Sequence, residues 1–209
     1  MKVNEIFLSI QGESIYAGFP TVFVRFSGCN LRCSYCDTAY AYEDGTDMEP
    51  EEVFEEIKKH YYKRVCVTGG EPLLQGDLEK LLVLLEDYSV TIETNGSMDI
   101  GLFKLDLKHS YVMDVKCPSS GASKEMNLLN FGLLSDRDEI KFVIGGKEDY
   151  EWAKAIIKEY YRKGIITFSP VFGKIEYCDL VDWMLRDKLN ARFQIQLHKV
   201  IWGVDKRGV

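Results

Sequence analysis

Three thiols fall within eight residues of this chain, Cys29-Asn30-Leu31-Arg32-Cys33-Ser34-Tyr35-Cys36, with the spacing C-x3-C-x2-C. Three close thiolates can hold three irons of a cubane iron–sulfur cluster, whose usual full complement is four cysteines. The fourth iron is then open to another ligand, just as catalytic zinc sites keep one position open. A zinc site is the competing use of the same thiols. A four-cysteine zinc ribbon needs a second close pair, and Cys66, Cys117 and Cys178 stand apart. Cys66 alternates with Val65 and Val67 in a strand and reads as a small core residue. Cys117 follows Lys116 at a strand end, where it either lines a pocket or packs; Cys178 opens a helix and reads as structural.

The elements that position these groups follow from periodicity. Short β-branched or aromatic runs predict strands at Thr21–Phe26, Arg64–Thr68, Val90–Thr94, Tyr111–Val115, Glu139–Ile144, Ile165–Ser169 and Arg192–Leu197. Amphipathic stretches between them predict helices: one from about Asp47 with Pro50 in its first turn, then Leu78–Leu85, Tyr150–Tyr161 and Glu176–Leu185. Strand–helix alternation means a parallel sheet wound in one sense. A full eight-fold barrel usually takes ~250 residues, with ~200 as a lower bound. The expected fold is therefore α/β, an incomplete parallel (β/α) barrel of about six strands. Ser27-Gly28-Cys29, Thr68-Gly69-Gly70-Glu71, Glu93-Thr94-Asn95-Gly96, Lys116, Ser169-Pro170 and His198-Lys199 follow the strands. In such a barrel they converge on the rim that carries active sites, and their polarity suits a large polar ligand.

The 209 residues are read as one domain, 1–209, with the cysteine loop at about 27–45. A net charge of −7 argues against an extended nucleic-acid surface but permits a small anionic substrate met by local cations. The first residues lack a signal-peptide core, and the longest run of large aliphatics, Leu81 to Leu85, is far short of a membrane span. A cytoplasmic protein without membrane contact is expected. There, thiols stay reduced and clustered cysteines suggest metal binding or catalysis.

The cysteine spacing, the flanking Tyr35 and Gly69-Gly70-Glu71-Pro72 after a strand together resemble the radical S-adenosylmethionine (SAM) superfamily. Within it, Ile10-Gln11-Gly12-Glu13-Ser14, Phe23-Val24-Arg25-Phe26-Ser27-Gly28-Cys29 and Cys36-Asp37-Thr38 resemble the 7-carboxy-7-deazaguanine synthase family. That likeness continues through Thr68-Gly69-Gly70-Glu71-Pro72, Glu93-Thr94-Asn95-Gly96, Pro118-Ser119-Ser120-Gly121 and Gln196-Leu197-His198-Lys199.

The resemblance implies a lyase that converts 6-carboxy-5,6,7,8-tetrahydropterin to 7-carboxy-7-deazaguanine with loss of ammonia, on the way to queuosine and archaeosine. It implies a [4Fe–4S] cluster on Cys29, Cys33 and Cys36, with SAM chelating the open iron, and Mg²⁺ on the Thr38 hydroxyl. It further implies a flavodoxin or ferredoxin reductant and a homodimer. Toward SAM it points to Tyr35, Cys36, Asp37, Gly69, Gly70, Glu71, Asn95, Lys116 and Ser169. The paired glycines would admit backbone close to the methionine amino group. Toward the pterin it points to Ile10, Gln11, Gly12, Glu13, Arg25 and Thr68, with Arg25 suited to grip a carboxylate. Asp37 is read as more structural than ligating, and Lys199 as either facing an anion or solvated. Some relatives place a terminal carboxylate on the substrate soon after the His-Lys pair. Here ten residues follow Lys199, and Val209 is the position that would take that role. A glycyl-radical-enzyme activase, with a protein substrate, is the alternative enzyme class.

Overall fold

A computed structural model describes residues 1–103 and 106–209. Its strands are β1 (Lys2–Ile10), β2 (Pro20–Phe26), β3 (Thr46–Asp47), β4 (Arg64–Gly69), β5 (Ser89–Thr94), β6 (His109–Asp114), β7 (Glu139–Ile144), β8 (Ile165–Pro170) and β9 (Arg192–Phe193). The helices are α1 (Pro50–Lys58), α2 (Leu78–Leu84), α3 (Lys147–Tyr160), α4 (Tyr177–Arg186) and α5 (Leu197–Trp202). The strands form one nine-stranded sheet in the order β3-β1-β2-β4-β5-β6-β7-β8-β9. From β2 through β9 every neighbouring pair is parallel, whereas β1 is antiparallel to both β2 and β3. The incomplete (β/α) barrel is thus present, with seven parallel strands and a β1–β2 ribbon at its start.

Strand alternation sorts the two faces. Val22, Val24, Phe26, Val65, Val67 and Ile92 point outward and share one core with Val53, Ile57, Leu78 and Leu81 of the covering helices. Each such buried aliphatic contributes about 1.5–3 kcal/mol. The intervening residues Arg25, Thr68, Glu93, Asp114 and Lys141 point inward and line a cavity. The helices take the apolar face, so the polar face is left for the enclosed space.

Two expectations are corrected here. The strand expected over Arg192–Leu197 pairs only at Arg192 and Phe193. Leu197 already begins α5, so His198 and Lys199 sit on a helix and not at a strand end. Instead of extending the ladder, this segment closes the barrel. Gln194 side-chain atoms bracket the Ser14 backbone, accepting from its N–H at 2.6 Å and donating to its carbonyl at 2.7 Å. Leu197 N–H donates to the Gly12 carbonyl at 3.0 Å. Among the described residues no helix is long and apolar enough to cross a membrane.

Candidate functional site

A cavity of about 400 Å³ opens at the C-terminal ends of the parallel strands. The cysteine loop leaves β2 and forms one wall. Gly28 N–H donates to the Ala41 carbonyl at 2.9 Å and pinches the loop's base. Ser34 binds the opposite side of the barrel, through N–H to the Ser120 carbonyl at 2.9 Å and Oγ to the Ser119 carbonyl at 2.7 Å. The Tyr35 hydroxyl reaches the Val143 carbonyl at 3.3 Å. So clamped, the loop presents Cys29, Cys33 and Cys36 to the cavity, all as free thiols. Cys29 Sγ accepts from Leu31 N–H at 3.4 Å and Asn95 Nδ2 at 3.7 Å.

Among the described residues no group of three Cys, His, Asp or Glu side chains converges on a single-ion site. A cubane asks for something else, one thiolate on each of three separate irons, with hydrogen bonds to sulfur. The loop's three free thiols and the donors on Cys29 fit that group. The open iron would take its ligand from the cavity.

The Gly69-Gly70-Glu71-Pro72 turn lies against this loop, and packing there by itself demands glycine at both positions. A Cβ on Gly70 would fall 1.9 Å from the Gly28 carbonyl oxygen, and one on Gly69 2.2 Å from that of Phe26. Gly69 also has φ of +133°. The glycines therefore let the turn dock on the root of the cysteine loop, where Gly70 N–H donates to Phe26 and Glu71 N–H to Gly28. Glu71 is fully buried and outside the cavity wall. Its carboxylate accepts from Leu73 N–H, Thr94 Oγ1 and Asn95 N–H at 3.0, 2.9 and 2.7 Å. Its carboxylate ties β4 to β5. Gly70→Ala is expected to displace the loop and lose most of the bound iron after anaerobic reconstitution. Wild-type iron content in that variant would show that the close approach is dispensable.

The opposite wall is a charged array. Glu13 accepts from Lys141 Nζ and from Gln196 Nε2, both at 2.5 Å. Lys141 also faces Asp114 at 3.6 Å, and Asp114 pairs with Lys116 at 2.9 Å. Burial alone would raise the Glu13 carboxyl; the charge and hydrogen bond of Lys141 outweigh it and hold the group down at about 2. Burial opposes the charge on Lys141 in turn, yet Glu13 and Asp114 keep it well above the ordinary lysine range. Glu93 accepts from Thr68 Oγ1 at 2.8 Å and Gln11 Nε2 at 3.4 Å. Arg25 stands nearby with its Nε on Glu5 at 2.7 Å.

At the rim, Asp37 pairs with Lys199 at 2.6 Å and accepts from the Thr38 hydroxyl at 3.0 Å. Burial works against ionisation of Asp37, but Lys199 holds its carboxyl far below the usual range. Lys199 is thus neither solvated nor free for an anion. The structural reading of Asp37 gains a partner.

Of the expected pterin-side residues, Ile10, Gln11, Gly12, Glu13, Arg25 and Thr68 all lie on the cavity wall. So do Tyr35, Asp37, Thr38, Asn95, Lys116 and Val209. Ser169 is buried and, like Glu71, not part of that wall. Cys117 is fully buried, its thiol turned to the Val115 carbonyl, so it packs and does not line the pocket. Cys66 is buried on the opposite face from Val65 and Val67, beside Glu93, and burial pushes its thiol well up.

Sequence reading placed Glu93 on the rim without a task and missed Asp114 and Lys141 as wall residues. The available signal was a charged residue alternating with apolar ones inside a strand covered on both faces. It also missed the reason for Gly12, where a Cβ would fall 2.2 Å from His198 Nδ1. The His198 ring therefore closes against bare backbone.

The Radical SAM superfamily profile matches residues 23–185. A 7-carboxy-7-deazaguanine synthase of Chlorobaculum tepidum is 44% identical over 216 residues, covering 100% of this chain and 97% of that protein. One from Clostridium acetobutylicum is 45% identical over 219 residues, covering 100% and 99%. One from Thermoplasma acidophilum is 36% identical over 205 residues, covering 97% and 98%. The crystal structure of QueE from Escherichia coli superposes with a TM-score of 0.71 at 24% identity, over 94% of each chain, which is a likeness of fold.

Proposed function

We infer the activity of this chain from its membership: it belongs to the radical SAM superfamily and, within it, to the 7-carboxy-7-deazaguanine synthases. It is a radical SAM lyase of 7-deazapurine biosynthesis, with a [4Fe–4S] cluster and SAM as cofactors. The proposed substrate is 6-carboxy-5,6,7,8-tetrahydropterin, and the proposed products are 7-carboxy-7-deazaguanine and ammonia. The observation that carries this reading is a single cavity with three loop thiols on one wall and Gln11, Glu13 and Arg25 on the other. The relatives lend the activase alternative no support.

When bound, cluster and SAM supply one-electron chemistry that takes a hydrogen atom from the substrate and returns it. The chain's own residues bind and orient. Cys29, Cys33 and Cys36 hold the cluster. Gly69, Gly70 and Asn95, beside Cys29, form the SAM side together with Tyr35 and Lys116. Glu13, held ionised by Lys141, offers only acceptor oxygens, which suits the amino group and ring N–H donors of a pterin. Gln11 adds both a donor and an acceptor. Arg25 meets the substrate carboxylate through its two Nη groups, since Nε is taken by Glu5. Thr38 offers one neutral hydroxyl to Mg²⁺, so substrate oxygens and water complete that site. Exposed Cys36 leaves the cluster edge open to a protein reductant such as flavodoxin or ferredoxin. A cytoplasmic homodimer completes the proposal.

Deuterium at C6 of the substrate is expected to enter SAM and, once handed back to the rearranged intermediate, to be lost with ammonia or to water, because the carboxyl-bearing carbon of the product holds no hydrogen. Product should exceed consumed SAM by many turnovers. Stoichiometric loss of SAM, with deuterium confined to released 5′-deoxyadenosine, would sink this use of the cofactor.

A further inference from the structure

Arg25 does not reach the cavity unaided. β1 and β2 pair residue by residue from Ile10↔Pro20 to Glu5↔Arg25, and then the register slips between Glu5 and Val3, which pairs with Phe26. Without that bulge Asn4, on the other face of β1, would come opposite Phe26. A bulge bends its strand and re-aims the adjoining side chains. Here it leaves Glu5 directly across from Arg25. Glu5 Oε1 accepts from Arg25 Nε at 2.7 Å and from the Tyr40 hydroxyl at 2.9 Å. The guanidinium carbon lies 5.8 Å from the Tyr40 ring centre and 5.9 Å from that of Phe7. Phe7 is itself stacked on Phe23 at 5.0 Å. Tyr40 belongs to the short turn that Thr38 opens, so the same turn serves the metal side and the arginine.

We propose that Glu5 and Tyr40 are positioning residues that fix the Arg25 guanidinium so that both Nη groups face the substrate carboxylate. Glu5 itself is off the cavity wall, whereas Arg25 and Tyr40 are on it. Glu5 occupies Nε and leaves the forked end free, the end that grips a carboxylate by two parallel hydrogen bonds. Glu93 lies within electrostatic reach of Arg25 from the cavity floor. Without Glu5, Arg25 turns its fork to Glu93 and the substrate carboxylate loses its partner. The Tyr40 hydroxyl holds Glu5 in place, and the flanking rings keep the guanidinium plane from rotating. This proposal rests on the assignment of Arg25 to the substrate carboxylate.

The test uses the reconstituted holoenzyme with SAM, reductant and Mg²⁺. It compares 6-carboxytetrahydropterin as substrate with a tetrahydropterin lacking the 6-carboxylate as inhibitor. Glu5→Ala is expected to raise KM for the carboxylated substrate about tenfold, the scale of one charge-assisted hydrogen bond, with the inhibitor's affinity unchanged. Tyr40→Phe, which keeps the ring, is expected to raise KM about threefold. In an Arg25→Ala background, Glu5→Ala should add nothing further. A KM unchanged in Glu5→Ala overturns the proposal. So does an equal loss of affinity for both pterins, or the same added effect without Arg25. If Arg25→Ala alone leaves KM unchanged, the assignment of Arg25 fails, and the positioning role falls with it.

Discussion

Replacing any one of Cys29, Cys33 and Cys36 by Ala is expected to abolish SAM cleavage while leaving the barrel folded. The three thiols share one loop and one cavity, and no further thiol is at hand to replace a lost ligand. Cys66 and Cys117 are buried with thiols pushed well up, and Cys178 is exposed on α4. None of these three lines the cavity. The loop is held by main-chain and Ser34 contacts that do not use the cysteines, so each variant keeps its shape. Iron and sulfide content after anaerobic reconstitution should fall, and 5′-deoxyadenosine under reducing conditions should drop below detection. Cys178→Ala should match the wild type in both. Cluster-dependent turnover in the triple variant would remove the central assignment.

The second large effect concerns Lys141. Its ammonium sits 2.5 Å from Glu13 and 3.6 Å from Asp114, with 11% of the side chain exposed. Lys141→Met leaves Glu13 nearly buried without its cation; Asp114 keeps Lys116. Breaking such a pair from one side costs about 3–5 kcal/mol. The Glu13 shift leads to a similar figure: a drop from 4.5 to about 2 corresponds to about 3 kcal/mol. A loss of that size should lower Tm by roughly 6–20 °C in a chain of this length.

The pH dependence has a definite sign. The folded-state value of Glu13 is depressed, so its contribution is full above the ordinary 4.5 and is lost as pH falls toward about 2. The gap between wild type and Lys141→Met is therefore greatest at neutral pH and narrows in acid. Adding Glu13→Gln to Lys141→Met should restore most of the stability, because no unpaired charge remains. Thermal unfolding of the anaerobically purified proteins at several pH values measures all three. An unchanged Tm in Lys141→Met at pH 7 would show that the array is not held by this lysine.

Much of this architecture was legible in residue order. Val22-Phe23-Val24 and Ile140-Lys141-Phe142 announce strands, and Pro50 and the acidic first turn announce α1. The cysteine loop and the glycine pair announce where chemistry sits. β1 was not legible, because the adjacent Asn4-Glu5 and the run Ile6-Phe7-Leu8 break the alternation of KVNEIFLSI and a bulge shifts its register. Glu71 was legible as part of a motif but not as to its task. Which way its carboxylate turns is settled by N–H groups from Leu73 and Asn95, the latter at the far end of another strand. Asp114 and Lys141 were hidden by their setting, since a charge inside a strand reads as solvent-facing until covering helices claim the apolar side. The last strand was over-extended because Gln194-Ile195-Gln196 alternates like a strand. Its polar members instead bind Ser14 and Glu13 across the barrel.

That closure has a kinetic consequence. Ser14 and Gln194 are 180 residues apart in the chain, and Gln196 reaches Glu13 across 183. The parallel ladder grows between neighbours in sequence, whereas this seam must wait until nearly the whole chain is in place, at the largest loop-closure entropy in the molecule. It is held by polar contacts, the Gln194 bracket on Ser14 and the Gln196–Glu13–Lys141 chain, and not by the shared apolar core. The molecule thus carries a seam along its own length, the contact that its chain order lets form last.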